Sequence, residues 1–191
     1  REAAGHRFAA NATPKDMEET YFPAFEALVK EAGVEAVMGA YNRTNGEPCC
    51  GSKTLIQQNL REKWGFEGHF VSDCWAIKDF HEGHMVTRTP VESAGMALDA
   101  GCDLNCGNTY LRILQAYEQG LVTEEQITQA AERLMTTRFM LGMFDLDNEY
   151  NKIPYEVVEC REHLETAEEM AAKGVVLLKN TGILPLDKSK I

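Results

Sequence analysis

The sequence predicts an α/β fold built around a parallel sheet. Two segments, residues 34–41 and 69–72, are short and mostly apolar without clean alternation, which is typical of strands buried on both faces of a sheet. Segments with apolar residues at three- and four-residue spacing, typical of amphipathic helices, lie before, between and after them. Strand–helix–strand–helix order indicates βαβ units. A closed (β/α)8 barrel needs eight strands, so this chain holds at most part of one.

Capping and turn residues set the element boundaries. Thr13 followed by Pro14 suits the start of a helix, and Pro23 predicts a kink or split in it. Thr123 and Gln126 form a capping-box pattern. In chain order the predicted elements are a helix from Thr13 to Gly33, strand 34–41, turn 42–48, helix 52–64, strand 69–72, helix 90–100, a candidate third strand at 101–105, helix 110–119 and helix 123–141.

The domain organisation changes near residue 146. Residues 1–146 are predicted as the later part of a catalytic-type α/β domain, and residues 147–160 as a linker because their helical and strand patterns weaken. Residues 161–191 are predicted as a helix, a buried strand at 175–180 and a turn, leading into a second α/β domain.

Composition excludes several classes of function. The net charge is −11 and the basic residues form no cluster, which argues against a nucleic-acid partner. No apolar run approaches the roughly 20 residues of a membrane helix, so no membrane partner is predicted. The hydrophobic content of 44% is that of an ordinary globular chain.

One carboxylate stands at the carboxyl end of a predicted strand. Asp73 follows residues 69–72 directly, and active sites of parallel α/β folds lie at such strand ends. Trp75 is two residues away, and a carboxylate beside an aromatic ring suits a sugar. Spacing alone favours a helix-capping role for Asp73 by roughly two to one. Asp103 could likewise be a site carboxylate or a structural residue, and the structural role is favoured more strongly than for Asp73. Tyr41 is more often a core residue than a substrate contact.

The histidines and cysteines give weak metal patterns. His81 and His84 could share a helix face, as could Cys102 and Cys106, but neither pair has a zinc-site arrangement. A solvated loop is the favoured interpretation of residues 81–84. No metal is therefore predicted. Phosphate-binding glycine loops are absent from the sequence, and no cofactor is predicted either. The six cysteines leave disulfides and free thiols both open.

Two longer segments carry a family resemblance. Residues 37–52, Val-Met-Gly-Ala-Tyr-Asn-Arg-Thr-Asn-Gly-Glu-Pro-Cys-Cys-Gly-Ser, and residues 60–73, which run from Leu-Arg-Glu-Lys-Trp-Gly to Val-Ser-Asp, resemble glycoside hydrolase family 3. Residues 100–104 and 175–186 resemble further segments of that family. The resemblance implies part of a TIM (β/α)8-type barrel followed by the start of an α/β sandwich domain.

The resemblance also implies a mechanism and site residues. Asp73 matches the family nucleophile, which forms a covalent glycosyl-enzyme in a retaining mechanism. Met38 and Tyr41 match positions that line the sugar subsite, and Trp75 is expected to stack on the sugar. Gly5 stands where the family pattern leads us to expect Arg.

The functional prediction is an exo-glycosidase that releases terminal β-linked glucose or xylose from oligosaccharides or glycosides. The general acid/base is expected outside this segment, in the remaining segments of the same enzyme or on other chains, so the segment alone should lack activity. The alternative is a non-catalytic carbohydrate-binding or interaction protein on a glycosidase-like scaffold. The resemblance favours a periplasmic or secreted location over a cytoplasmic one.

Overall fold

A computed structural model describes residues 5–190. The chain divides into two compact units, Arg1–Phe144 and Asp145–Ile191. The predicted domain assignment, with its boundary at residue 146, stays a prediction. Within the described residues, none of the helices combines the length and apolar character that a membrane crossing requires.

The first unit contains two small sheets. Strands β2 (Ala36–Gly39) and β5 (His69–Ser72) pair in parallel, so both predicted strands and their direction are confirmed. The second sheet joins β1 (Ala9–Ala10), β3 (Arg43–Thr44) and β4 (Glu47–Pro48) in the order β1-β3-β4.

The second sheet contains elements that the sequence predicted only as a turn. Asn45 and Gly46, both at positive φ, join β3 to β4 as a two-residue hairpin loop. Asn-Gly favours this geometry because both positions need the left-handed region. Strands of two residues are too short to show an alternation of apolar and polar side chains, so the sequence did not predict them or their pairing.

The predicted third strand at 101–105 is wrong except for one bridge, between Val71 and Leu104. The N–H groups of Asp103 and Leu104 both donate to the Phe70 carbonyl, and Ser72 N–H donates to the Leu104 carbonyl. The chain then turns away from the sheet, which leaves only one residue in register.

The helices lie largely where the caps predict them. The first helix is split into α1 (Pro14–Asp16), a π-helical turn and α2 (Pro23–Lys30), so the expected break at Pro23 is confirmed. The other helical segments of the described chain are a 3-10 turn at Cys49–Gly51, a π-helix at Thr54–Lys63, α3 (Asp79–Glu82), α4 (Pro90–Ala100), a 3-10 turn at Thr109–Arg112, α5 (Ile113–Glu118), α6 (Glu124–Met140), 3-10 turns at Glu149–Lys152 and Tyr155–Val157, α7 (Arg161–Gly174) and a 3-10 turn at Lys188–Lys190.

Threonine side chains cap the starts of α4 and α6, and a glycine ends α4. Thr89 Oγ1 accepts a hydrogen bond from Glu92 N–H, and Gly101 ends α4 in the left-handed conformation at φ 98°. The predicted capping box of Thr123 and Gln126 is present at the start of α6. Each cap satisfies backbone groups that a helix end leaves without partners.

The main core covers one face of the β2–β5 pair. Phe70 from β5 packs among buried side chains from the helices on either side of it in the chain, including Ile56 and Leu60 before it and Phe80 after it. Gly39 in β2 fits this packing because a Cβ there would come within 2.6 Å of Cys50 Sγ. The opposite face of the pair carries no such layer within the described residues of this unit.

Asp103 ties three elements of the first unit together. Its side chain is only 1% exposed and contacts Arg61 at 2.7 Å and Arg133 at 2.9 Å. The same carboxylate accepts a hydrogen bond of 2.8 Å from Phe70 N–H in β5. Burial lowers the pKa of Arg61, and Asp103 opposes that effect by attracting the charged guanidinium. The structural role favoured for Asp103 is confirmed.

The second unit contains α7, in agreement with the helix predicted at the start of residues 161–191, but no strand at 175–180. The predicted strand is wrong for this structure because a strand needs a hydrogen-bonded neighbour, and the described residues provide none to this segment. Its apolar side chains, Val175, Val176, Leu177 and Leu178, are all exposed.

We expect Asp103→Asn to destabilise the protein strongly. The change leaves the largely buried Arg61 without a carboxylate, and breaking a buried pair in this way costs about 3–5 kcal/mol. Asp99→Asn is the matched control, because the Asp99–Lys53 pair is partly exposed and an exposed pair contributes about 0–1 kcal/mol. Urea denaturation followed by tryptophan fluorescence measures both. Equal losses in the two variants would contradict the central role of Asp103.

Candidate active site

Asp73 lies immediately beyond β5, at the carboxyl end of the strand. Its N–H donates to the Gly39 carbonyl at 3.1 Å, which continues the parallel pairing by one residue. Oδ1 accepts a hydrogen bond of 2.7 Å from Cys74 N–H. The next helix, α3, has Lys78 at its N-cap and no side-chain capping bond, so Asp73 does not cap it.

Met38 and Asp73 share one face of the strand pair. Met38 is opposite Val71, and Asp73 follows two residues after Val71, so strand alternation puts all three on the same side. Phe70 and Ser72, on the other side, are buried, whereas Met38 is 60% exposed. The carboxylate therefore stands on the open face with Met38.

Trp75 is held in a strained turn beside Asp73. Its φ is 68°, a left-handed conformation that is rare for a bulky residue, and its side chain is 50% exposed. Ala76 and Ile77, which follow it, are buried in the main core. Its N–H donates to the Cys106 carbonyl at 2.6 Å. Strain of this kind persists only where the surrounding structure over-determines it, and it clusters at functional sites.

The loops that follow β5 and Leu104 are joined at three points. Cys74 and Cys106 form a disulfide, and Trp75 N–H reaches the Cys106 carbonyl. Ser72 Oγ accepts hydrogen bonds from Cys106 N–H at 3.0 Å and from the Asn105 side chain at 3.2 Å. These contacts fix the turn that carries both Asp73 and Trp75.

The structure resolves the cysteine question that the sequence left open. Cys74 and Cys106 are paired, whereas Cys49, Cys50, Cys102 and Cys160 are free thiols. A Cys102–Cys106 metal pair is ruled out, because Cys106 is in the disulfide and Cys102 is buried in the core.

A buried thiol lies beneath the ends of β2 and β5. Cys50 Sγ donates to the Ala40 carbonyl at 3.6 Å and approaches the backbone of Asp73. Burial raises the pKa of Cys50 to about 12, so the thiol stays protonated at neutral pH. The sequence interpretation did not select Cys50, although it lies in a segment that carries the family resemblance.

Tyr41 is half-buried, with its ring next to the His6 ring. The two ring centres are 4.4 Å apart and the planes are tilted by 57°. His6 Nδ1 in turn lies 2.5 Å from Asp79 Oδ2. Tyr41 also packs against the main core, so it combines the predicted core role with a place near the strand ends. His6 and Asp79 were not predicted, because their contact spans 73 residues.

His81 and His84 face different surroundings. His81 Nδ1 is 2.8 Å from Ser93 Oγ. His84 is only 6% exposed and its ring stacks on Phe80, so the solvated-loop interpretation is wrong for it. Burial lowers the pKa of His84 more than nearby Asp79 raises it. Within residues 5–190 the structure places no group of three or more His, Cys, Asp or Glu side chains for a metal ion.

The arrangement defines a class of protein. It is an α/β protein with a parallel strand pair, β2 and β5, near whose carboxyl ends lie a carboxylate, an exposed indole and an exposed thioether. Such a surface suits a carbohydrate, because the indole can stack on apolar sugar faces while the carboxylate meets positive charge at the anomeric carbon.

Comparison of the sequence with protein-family models identifies the family. The model of the glycosyl hydrolase family 3 N-terminal domain matches residues 3–137. The chain therefore belongs to glycoside hydrolase family 3, whose N-terminal domain is a TIM-barrel-like α/β fold.

Individual relatives agree with this assignment. A xylan 1,4-β-xylosidase of Xylanibacter ruminicola is 42% identical over 191 residues, which cover 96% of this chain and 22% of the relative. A solved exo-β-xylosidase in complex with a xylobiose aziridine activity-based probe has a TM-score of 0.77 at 31% identity and covers 95% of this chain and 24% of that one. A β-glucosidase from Listeria innocua in complex with isofagomine has a TM-score of 0.72 at 27% identity, with coverages of 96% and 26%. The chain thus spans about a quarter of these relatives.

We expect removal of the disulfide to loosen the Asp73 turn. In the double variant Cys74→Ala/Cys106→Ala the turn keeps only its hydrogen bonds to the neighbouring loop, and a lost disulfide costs about 2–4 kcal/mol. Hydrogen exchange measured by mass spectrometry should show residues 74–78 exchanging at least about tenfold faster. Cys160→Ala, which removes a free thiol, is the control. Unchanged exchange at 74–78 would show that the hydrogen bonds alone hold the turn.

Proposed function

We propose that this chain is the nucleophile-bearing part of a retaining exo-glycosidase that releases terminal β-linked xylose or glucose. One observation carries the proposal: Asp73 stands on the open face at the end of a parallel strand, beside the exposed ring of Trp75, in a family 3 domain. Met38 and Tyr41 are proposed to line the sugar subsite with Trp75.

The proposed reaction has two steps. An Asp73 carboxylate oxygen bonds to the anomeric carbon as the glycosidic C–O bond breaks, and the leaving oxygen takes a proton from a general acid. The same acid/base residue then removes a proton from water, which attacks the anomeric carbon and releases Asp73. The acid/base group is proposed to lie on another segment of the enzyme.

Exposed apolar surface supports the proposal that the first unit is part of a barrel. Tyr21, Phe25 and Met38 are each more than half exposed and line one cavity of about 210 Å³ along β2. Within the described residues the other edge of β2 has no neighbouring strand. Further barrel strands would cover both features. The segment from α7 onward is proposed to lead into the sandwich domain.

The relatives favour one sugar, and the disulfide favours one kind of cellular compartment. The relatives named above include two xylosidases and one glucosidase, so xylose is the favoured sugar and glucose the alternative. The Cys74–Cys106 disulfide supports a periplasmic or secreted location, because disulfides persist in oxidising compartments.

We expect a mechanism-based label to attach to Asp73 in the natural full-length enzyme. A 2-deoxy-2-fluoro xylosyl or glucosyl donor should trap the covalent intermediate, and peptide mapping by mass spectrometry locates it. The donor that labels faster indicates the sugar. Asp73→Ala should lower kcat by at least about 10³-fold, because a nucleophile has no substitute in this mechanism. Glu31→Gln, at an exposed carboxylate that follows α2 and is 42 residues before Asp73 in the sequence, is the control.

The other outcomes are equally informative. A label on a different carboxylate with normal turnover would keep the enzyme class and remove Asp73 from the nucleophile role. Sugar binding without label or turnover would support a non-catalytic carbohydrate-binding protein instead.

A further inference from the structure

His6, Tyr41, Asp79 and His84 form a cluster near the carboxyl ends of β2 and β5. We infer that Asp79 and His6 are positioning residues that fix the Tyr41 ring relative to the turn carrying Asp73. The inference rests on the proposed function, in which Tyr41 lines the sugar subsite. Its basis is a continuous set of contacts from Tyr41 through His6 and Asp79 back to Asp73.

The first link is between His6 and Asp79. His6 Nδ1 and Asp79 Oδ2 are 2.5 Å apart, and the two side chains are 38% and 15% exposed. Backbone packing supports the contact, because a Cβ at Gly83 would lie 2.6 Å from the His6 carbonyl oxygen. The His6 segment therefore fits against the end of α3 at both its backbone and its ring.

The second link is between His6 and Tyr41. Their ring centres are 4.4 Å apart, within the range of a direct ring contact. With its Nδ1 held by Asp79, the imidazole cannot rotate freely, and it limits where the Tyr41 ring can go. His84 also contacts this cluster, since its ring lies near the Tyr41 backbone and its N–H donates to the Asp79 carbonyl at 2.7 Å.

The third link joins Asp79 to the nucleophile turn. Ala76 N–H donates to the Asp73 carbonyl at 3.1 Å, and Asp79 N–H donates to the Ala76 carbonyl at 3.2 Å. Two consecutive turns thus connect the backbones of Asp73 and Asp79. Tyr41 follows β2 and Asp73 follows β5, so the Asp79–His6 pair is a second connection between these strand ends, independent of the sheet.

This connection predicts an effect on reaction geometry. Groups around a reacting centre must be held within about 0.5 Å, and a displacement of about 1 Å can reduce the rate by about 100-fold. Asp79→Ala removes the carboxylate that holds the His6 ring against Tyr41, so kcat/KM of the full-length enzyme should fall by about 10- to 100-fold. Asp79→Asn keeps an oxygen that can accept a hydrogen bond from His6 Nδ1, so it should retain most of the activity.

A double-variant cycle separates positioning from a general structural role. If Asp79 acts through the Tyr41 ring, Asp79→Ala should cost much less in a Tyr41→Ala background than in the wild type. His6→Asn, which keeps a donor near Nδ1 but removes the ring, should resemble Asp79→Ala. Affinity for isofagomine is measured alongside kcat and KM. Glu18→Gln, which breaks the exposed Glu18–Lys63 pair, is the control and should leave kcat/KM unchanged.

The outcomes distinguish this inference from the function on which it rests. Label on Asp73 together with unchanged kcat/KM in Asp79→Ala would overturn the inference and leave the function standing. An equal loss in the wild-type and Tyr41→Ala backgrounds would also overturn it, because Asp79 would then act by another route. Absence of label from Asp73 would overturn the proposed function and this inference together.

Discussion

The buried carboxylate of Asp103 is the contact on which the first unit depends. It meets Arg61 from the π-helix, Arg133 from α6 and the N–H of Phe70 in β5, so one group fixes two helices against one strand. Desolvation offsets much of the attraction in such a network, and its main effect is to specify one arrangement. Because β5 is only four residues long, its position relative to the helices depends on such polar contacts, among them His69 Nδ1 at 2.9 Å from Thr137 Oγ1 of α6, as well as on apolar packing.

The residues that follow Asp103 in the chain connect it to the turn that carries Asp73. Leu104 bridges to Val71, and two residues later Cys106 is joined to Ser72, Cys74 and Trp75 by two hydrogen bonds and a disulfide. Asp73 lies in the middle of this group. The unfavourable φ of Trp75 is maintained because contacts on both sides of the turn leave the backbone no relaxed alternative.

The sequence predicted those features that local chemistry determines. α4 and β5 were predicted at their observed limits, since Pro90 suits a helix start and Asp73 follows an apolar run. The place of Asp73 at a strand end was likewise visible. The pairing of His6 with Asp79, the burial of His84 and the Cys74–Cys106 bond depend on contacts between distant residues, which neither spacing nor composition encodes. The strand predicted at 175–180 failed for a related reason, because apolar character alone does not form a strand without a neighbour.

The proposed mechanism requires a fixed distance between two carboxylates, Asp73 and the acid/base. A retaining glycosidase holds them about 5–5.5 Å apart. Asp73, the proposed nucleophile, is held within the first unit by the sheet and the Cys106 contacts, and its turn is linked to the His6–Asp79 pair. The acid/base, if carried by another segment, reaches its distance only through contacts between segments. Movement between segments would then alter the acid/base position while leaving Asp73 fixed, so leaving-group protonation would respond to such movement more than nucleophilic attack would.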